Sequence, residues 1–149
     1  MGPGVRRDDE LIYERPMNQK IKTFLMFDGQ CEAAMNFYVS LFRGAAVTGI
    51  RRYGQEGPGA EGSVMQATFA VAGQTFMCVD SPAKHDFTFT PAMSLFVDCV
   101  DEAEIDGLFA KLSDGGQIFM PLNAYPFSRK FGWLSDKFGV SWQLNWPND

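Results

Sequence analysis

Two hydrophobic periods alternate along the chain, the two-residue period typical of strands and the 3.6-residue period typical of helices. The first strand is predicted at residues 20–27, KIKTFLMF, from its β-branched and aromatic side chains. A helix is predicted next, because apolar side chains then recur at helical spacing, with Gly44 expected at its C-cap. The apolar stripe of this helix consists of Ala34, Phe37, Tyr38, Leu41 and Phe42. Further strands are predicted at residues 45–53, 63–72 and 75–79.

The second half of the chain repeats this order. A strand at residues 93–97 precedes a helix whose start is indicated by Asp101 and Glu104, because acidic side chains are favourable in a first turn. The apolar stripe of this helix consists of Ile105, Leu108, Phe109 and Leu112, with Gly115 at its end. Strands are then predicted at residues 117–122, 130–135 and 140–146, with a hairpin turn at residues 136–139.

One constant offset relates the two predicted helices. Ala34 and Ile105 are 71 residues apart, and so are the terminal glycines Gly44 and Gly115. Because strands and helices also follow in the same order, the offset indicates a duplicated unit.

The predicted fold is therefore α+β, built from two βαβββ modules at about residues 20–80 and 93–146. Both modules are expected within a single domain, residues 17–149. Each helix is expected to cover one face of a sheet, and the paired sheets are expected to form a curved, cup-shaped mixed sheet. Residues 1–16, rich in charge, Gly and Pro, are predicted to be a flexible N-terminal extension.

Two strands carry uncharged polar side chains in the phase opposite to large apolar ones. The last strand alternates Trp142, Leu144 and Trp146 with Ser141, Gln143 and Asn145. The strand at residues 63–72 alternates Met65, Ala67, Phe69 and Val71 with Gln66 and Thr68. The two-residue period places the apolar sets under the helices and the polar sets inside the cup, where Gln66 and Gln143 are expected to face one another. The alternative is a solvated outer face, which antiparallel sheets often have.

Composition narrows the classes of function. The chain has 13 Lys and Arg against 18 Asp and Glu, a formal net charge of −5, which argues against nucleic acid and anionic membranes as partners. With 46% hydrophobic and 21% charged residues, and no apolar run of membrane-spanning length, a soluble, cytoplasmic protein is expected. The three cysteines lack metal or disulfide spacing and are predicted to be buried hydrophobes.

The repeated plan and two segments of the chain resemble one protein family. The segments are FDGQCEAAMNFY, residues 27–38, and KFGWLSDKFGVSWQL, residues 130–144. The family is the PhnB-like branch of the vicinal oxygen chelate superfamily, whose members are often described as 3-demethylubiquinone-9 3-methyltransferase-like. The superfamily includes glyoxalase I, extradiol dioxygenases and bleomycin-resistance proteins.

The resemblance raises the question of a metal site, because metal-dependent superfamily members bind a divalent ion with His and Glu side chains. The matching positions hold Lys22 or Thr23, Met77, Ser94 or Leu95, and Gln143. None of these is a good ligand for Zn, Ni or Fe, and Gln66 stands where many relatives have His. The only histidine, His85, is expected at the surface. We therefore predict no bound metal and no cofactor.

Other catalytic patterns are weak. The glycine-rich segment at residues 54–62 joins two strands, so a hairpin loop is favoured over a phosphate cradle. Most of the acidic residues near the second helix are explained by its first turns, and Arg129 and Lys130 are interpreted as solvated. The acidic set is Asp98, Asp101, Glu102, Glu104 and Asp106.

The function predicted from these observations is metal-independent binding of a small organic molecule in the cup of a homodimer. The candidate ligand-binding residues are Phe24, Met26, Gln66, Thr68, Trp133, Ser141 and Gln143. The alternative is an enzyme of the same superfamily, an isomerase, lyase or methyltransferase-like protein acting on a small oxygenated substrate. A third hypothesis is a protein whose modules chiefly serve assembly. No catalytic residue is predicted.

Overall fold

Each half of the chain folds into one helix and one four-stranded mixed sheet. The computed structural model describes residues 19–149, and their contacts divide them into two units, residues 19–84 and 85–149. The predicted N-terminal extension, residues 1–16, lies outside the described residues.

The first unit contains four strands and one helix. They are β1 (Thr23–Phe27), α1 (Cys31–Leu41), β2 (Ala46–Arg52), β3 (Val64–Val71) and β4 (Gln74–Asp80). The strand order is β1-β4-β3-β2, with β1 parallel to β4 and the other neighbours antiparallel.

The second unit has the same plan. Its elements are β5 (Ser94–Asp98), α2 (Glu102–Ser113), β6 (Gln117–Tyr125), β7 (Ser128–Ser135) and β8 (Ser141–Trp146). The strand order is β5-β8-β7-β6, again with one parallel pair, β5 and β8. This equivalence confirms the α+β fold and its two βαβββ modules.

The offset of 71 residues holds for the first three elements of each unit: β5, α2 and β6 each begin 71 residues after β1, α1 and β2. It does not extend further, because β7 begins only 64 residues after β3. The long glycine-rich loop precedes β3, whereas only Pro126 and Phe127 separate β6 from β7.

The buried stripe of α1 differs from the prediction. The structure buries Cys31, Ala34, Met35 and Tyr38. Phe37 and Leu41 are only half-buried, and Phe42 lies beyond the end of the helix, so these three predicted core positions are wrong. The side chains of α1 that are buried include those that contact the sheet: Tyr38 stacks on Phe69, and Met35 Sδ lies 3.8 Å from Cys78 Sγ. In α2 the predicted Ile105, Leu108 and Leu112 are buried, and Phe109 is half-buried.

Two strand positions also depart from the predicted alternation. Met65, expected in the core, is half-exposed because the register between β2 and β3 shifts there and Val64 is buried instead. Trp146, at the end of β8, is half-buried. Ala67, Phe69 and the other predicted core positions of these strands are buried.

The three cysteines are buried thiols, as predicted. Burial raises the pKa of the Cys99 thiol to about 12. The pKa of Cys31 is raised by its hydrogen bond with Cys78 and by burial. The Cys31 and Cys99 thiols therefore stay protonated at neutral pH. No helix within residues 19–149 combines the length and the apolar character needed to cross a membrane.

Candidate functional site on the helix-free sheet faces

One face of the first sheet packs on α1, and the opposite face carries the predicted ligand-binding residues. Phe69 and Cys78 contact α1 through Tyr38 and Met35, which fixes the helix side. Neighbouring residues along each strand point to the opposite side. We call this opposite side the first free face; its residues are Phe24, Met26, Arg51, Gln66, Thr68, Met77 and Val79.

Cross-strand pairing brings three of these side chains into one row. Phe24 pairs with Met77, and Met77 pairs with Thr68. Phe24 is 54% exposed, a large fraction for an aromatic side chain. The Thr68 hydroxyl lies 2.8 Å from that of Thr48, a residue that the register shift in β2 turns toward this face. The row therefore combines an exposed ring, a thioether and a hydroxyl pair.

The second sheet is oriented in the same way. Gly132 faces α2, because a Cβ at this glycine would lie 2.5 Å from Phe109 Cε1, and it pairs with Leu144. Gln143 therefore points away from α2, together with its cross-strand partners Trp133 and Phe96. We call this side the second free face; its residues are Ser94, Phe96, Phe131, Trp133, Ser141, Gln143 and Asn145.

A hydrogen-bond network joins four side chains of the second free face. Trp133 Nε1 donates to Ser141 Oγ at 3.0 Å, and Ser141 Oγ lies 2.7 Å from Ser94 Oγ. Gln143 Nε2 donates to Ser94 Oγ at 3.3 Å. These bonds hold the indole and the carboxamide side by side on neighbouring strands.

Donor counting shows which atoms this network leaves over. Ser141 Oγ accepts from the Trp133 indole and Ser94 Oγ accepts from Gln143, and either hydroxyl can donate the bond between the two serines. In both cases one of the two hydroxyl hydrogens is left over. Within residues 19–149 no donor bonds Gln143 Oε1, which is available as an acceptor. The network therefore leaves two donor hydrogens, one on a serine hydroxyl and one on Gln143 Nε2, and the acceptor Gln143 Oε1, and the neighbouring Phe96 ring is 56% exposed.

Aromatic rings extend this face on both sides. Phe119 lies 5.0 Å from Trp133 between ring centroids. Phe131 contacts Phe96, Tyr125 and Phe127 at centroid distances of 6.3, 6.0 and 5.1 Å. Edge-on and tilted rings at these distances attract one another. Phe96 belongs both to this four-ring cluster and to the row that it forms with Gln143 and Trp133.

All seven residues predicted to bind ligand lie on a helix-free face. Phe24, Met26, Gln66 and Thr68 lie together on the first, and Trp133, Ser141 and Gln143 on the second. Ser141 is only 1% exposed, so it contributes by bonding Trp133 and Ser94. The expectation that Gln66 and Gln143 face one another stays a prediction.

Two residues that matter on these faces were missed by sequence reasoning. Phe96 and Ser94 join the site through the parallel pairing of β5 with β8, whose partners are 47 residues apart in the chain. The alternation in β8 indicated its own faces but gave no sign of this partner strand.

The charged residues near α2 have structural partners. Lys130 Nζ donates to Asp106 Oδ1 at 2.6 Å and to Glu102 Oε2 at 3.0 Å, so its interpretation as a solvated side chain is wrong. The hydrogen bonds to Asp106 and, to a smaller extent, to Glu102 raise the pKa of Lys130. Arg129 likewise packs over the Trp146 ring, 4.3 Å from its centroid, and pairs with Asp149.

The other acidic residues of the predicted helical set serve α2 or its neighbouring strand. Asp101 caps the helix by accepting from Glu104 N, and Asp98 accepts from Asn145 Nδ2 at 2.9 Å. These contacts support the structural interpretation of the acidic set over a general acid–base site.

The residues at the inferred metal positions do not fit a transition-metal ion. Met77 offers a thioether, and Gln143 an amide whose nitrogen is engaged by Ser94. Thr23 and Leu95 lie in the strands beside them. In the part of the chain that the structure describes, no three His, Cys, Asp or Glu side chains are grouped as metal ligands.

Comparison with known protein families gives a match over most of the chain. The family of 3-demethylubiquinone-9 3-methyltransferases matches residues 19–145. The chain belongs to this family. A comparison with curated proteins gave no match.

Two solved structures have the same fold. A PhnB protein from Bacillus cereus is 61% identical, with a TM-score of 0.85 over 86% of this chain and 99% of that one. Protein PA1353 from Pseudomonas aeruginosa is 27% identical, with a TM-score of 0.78 over 89% and 100%. The family match and the Bacillus cereus structure confirm the predicted resemblance to PhnB-like, 3-demethylubiquinone-9 3-methyltransferase-like proteins.

A more distant structure shows how widely the fold is shared. The glyoxylase/bleomycin resistance protein/dioxygenase domain from Frankia sp. EAN1pec is 10% identical, with a TM-score of 0.63 over 88% of this chain and 93% of that one. At this identity the similarity concerns the fold alone.

Proposed function

We propose that the protein binds a small, planar, oxygenated organic molecule on its helix-free faces, without a metal ion. The observation that carries the proposal is the row formed by Phe96, Gln143 and Trp133. An exposed ring lies beside a carboxamide oxygen and a serine hydroxyl that the network leaves available. Stacking on rings together with a few directed hydrogen bonds is the usual way to hold such a ligand.

A second candidate function is catalysis on a small oxygenated substrate by isomerase, lyase or methyltransferase-like chemistry. It is favoured by the family description, which concerns methyl transfer to a demethylubiquinone. A demethylubiquinone head group is planar and oxygenated, so it suits the same row of side chains. Turnover, or micromolar binding of S-adenosylmethionine measured by calorimetry, would favour this candidate over binding alone.

The test of the binding proposal uses 4-hydroxybenzamide, a planar neutral probe with one phenol and one carbonyl group. Isothermal calorimetry should detect its binding in the presence of a chelator. Gln143→Leu should weaken it by about 1–2 kcal/mol, because the acceptor Oε1 is lost. Gln55→Leu, which changes an exposed glutamine in the glycine-rich loop, is the matched control and should leave the affinity unchanged. No binding to the unmodified protein, or equal effects of the two substitutions, would overturn the proposal.

We also propose a cytoplasmic homodimer as the working state, because superfamily members pair their modules within or between chains. Static light scattering at micromolar concentration should give about twice the chain mass. The mass of a single chain would contradict this expectation.

A further inference from the structure

Two adjacent arginines of β2 have opposite environments. Arg52 donates two 2.8 Å bonds to the Glu32 carboxylate of α1 and a third bond, of 3.1 Å, to the Gly62 carbonyl. Arg51, the preceding residue, points to the first free face and has no ion pair or hydrogen bond within residues 19–149. The two side chains separate because neighbouring strand residues face opposite sides.

The position of Arg51 is set by irregular pairing between β2 and β3. The register shifts once between Val47 and Gly49 and again between Arg51 and Arg52. Such bulges redirect side chains and are frequent next to binding sites. Between the two shifts, Arg51 pairs directly with Gln66, so the guanidinium and the carboxamide start from opposite positions on one face.

No negative charge balances Arg51 on its own face. The other side chains of the first free face are aromatic, aliphatic, thioether, hydroxyl or amide groups. The isolated positive charge differs from the chain as a whole, whose formal net charge is −5. A guanidinium presents paired N–H donors in a plane, which matches the two oxygens of a carboxylate, and the neighbouring amide can donate a further bond.

We infer that the ligand of the first free face carries a carboxylate, held by Arg51 and Gln66, while its planar body lies along Thr68, Met77 and Phe24. This inference rests on the proposed function, which it extends from the second free face to the first, and for the first free face it narrows the ligand to organic acids. Thr68 lies two residues after Gln66 on β3, so the row that contains Phe24 begins next to the Arg51–Gln66 pair.

The test compares 4-hydroxybenzoate with 4-hydroxybenzamide, two probes of the same shape that differ in one negative charge. The unmodified protein should bind the benzoate about tenfold more tightly, because hydrogen bonds to charged groups are the stronger ones. Raising the salt concentration from about 50 mM to about 500 mM should reduce this preference, since solvent-exposed charges are screened.

Arg51→Gln should remove the preference for the benzoate, measured as the ratio of the two affinities in the same variant. Arg51→Lys should retain part of the preference, because it keeps the charge but loses the planar fork. Arg43→Gln, which changes an exposed arginine in the turn after α1, is the control and should change neither affinity. Unfolding midpoints of the variants should match, because both arginines are exposed.

The outcomes separate the inference from the proposed function. Equal binding of the two probes, or an unchanged preference in Arg51→Gln, would overturn the inference while the binding proposal stands. Failure of both probes to bind the unmodified protein would overturn both.

Discussion

The two units share one strand order, but the buried carboxylate that bonds backbone N–H groups has a different place in each unit. In the first unit, the buried Asp80 accepts from Cys31 N at the start of α1 and from Val64 N at the start of β3, each at 3.0 Å. In the second unit, the buried Asp136 accepts from Phe138 N and Val140 N within its own turn.

The start of each helix shows the same contrast. Asp101 caps α2 by accepting from Glu104 N at 2.9 Å, and Glu104 reaches back to Val100 N at 2.8 Å. These two bonds resemble a capping box, except that Glu104 accepts from the residue before the N-cap, and all of their partners lie within residues 100–104. The corresponding Gln30 makes no side-chain cap on α1. Instead, the N–H of Cys31, the first residue of this helix, donates to Asp80, 49 residues further along the chain. Duplicated topology therefore does not require duplicated interactions: the start of α1 is bonded by a carboxylate distant in the chain, and the start of α2 by a local one.

The largest effect is expected at Trp142, which anchors the turn of the second unit. Its buried ring packs on the helix side, and its Nε1 donates to Asp136 Oδ2 at 2.9 Å. Trp142→Ala should lower the free energy of unfolding by about 3–5 kcal/mol. Trp133→Ala, on the free face and only half-buried, is the matched control. A loss of similar size in both variants, measured by urea unfolding, would contradict the assignment of faces.

A smaller effect is expected from removing the long-range carboxylate of the first unit. Asp80→Ala should cost about 2–4 kcal/mol, because two backbone N–H groups, those of Cys31 and Val64, lose their acceptor. Hydrogen exchange should show faster opening at the start of α1. A smaller loss in the free energy of unfolding than that of Asp101→Ala, which removes the cap of α2, would argue that the first unit does not depend on Asp80.

The smallest effect is expected from the local cap itself. Asp101→Ala should lower the free energy of unfolding by about 1 kcal/mol, the usual value for a lost N-cap, because the exposed first turn can bond water instead. Urea unfolding of this variant beside Asp80→Ala measures the contrast directly. Equal losses would remove the distinction between local and long-range capping.

The same distinction explains what the sequence could predict. The Asp101–Glu104 start of α2 and the turn at residues 136–139 involve neighbours in the chain, and both are found as predicted. The alternation within β8 correctly placed Gln143 opposite to the helix, because period 2 depends on the strand alone.

Three of the failures involve contacts distant in sequence. Met35 replaced Phe37 in the core of α1 because Cys78, 43 residues away, contacts it. Lys130 was interpreted as solvated because its partners Glu102 and Asp106 lie on another element. The role of Ser94 depends on the parallel register with β8, which no local pattern encodes.

The central claim is that a planar oxygenated molecule binds the helix-free faces without a metal. Its most direct test is a ¹H–¹⁵N NMR titration with 4-hydroxybenzamide in the presence of a chelator, which follows the three indole N–H groups. The indole N–H signal of Trp133 and the side-chain amide signals of Gln66 and Gln143 should shift. The indole N–H signal of Trp142, which lies on the helix side, should not shift. Shifts confined to Trp142, or binding that the chelator abolishes, would contradict the account.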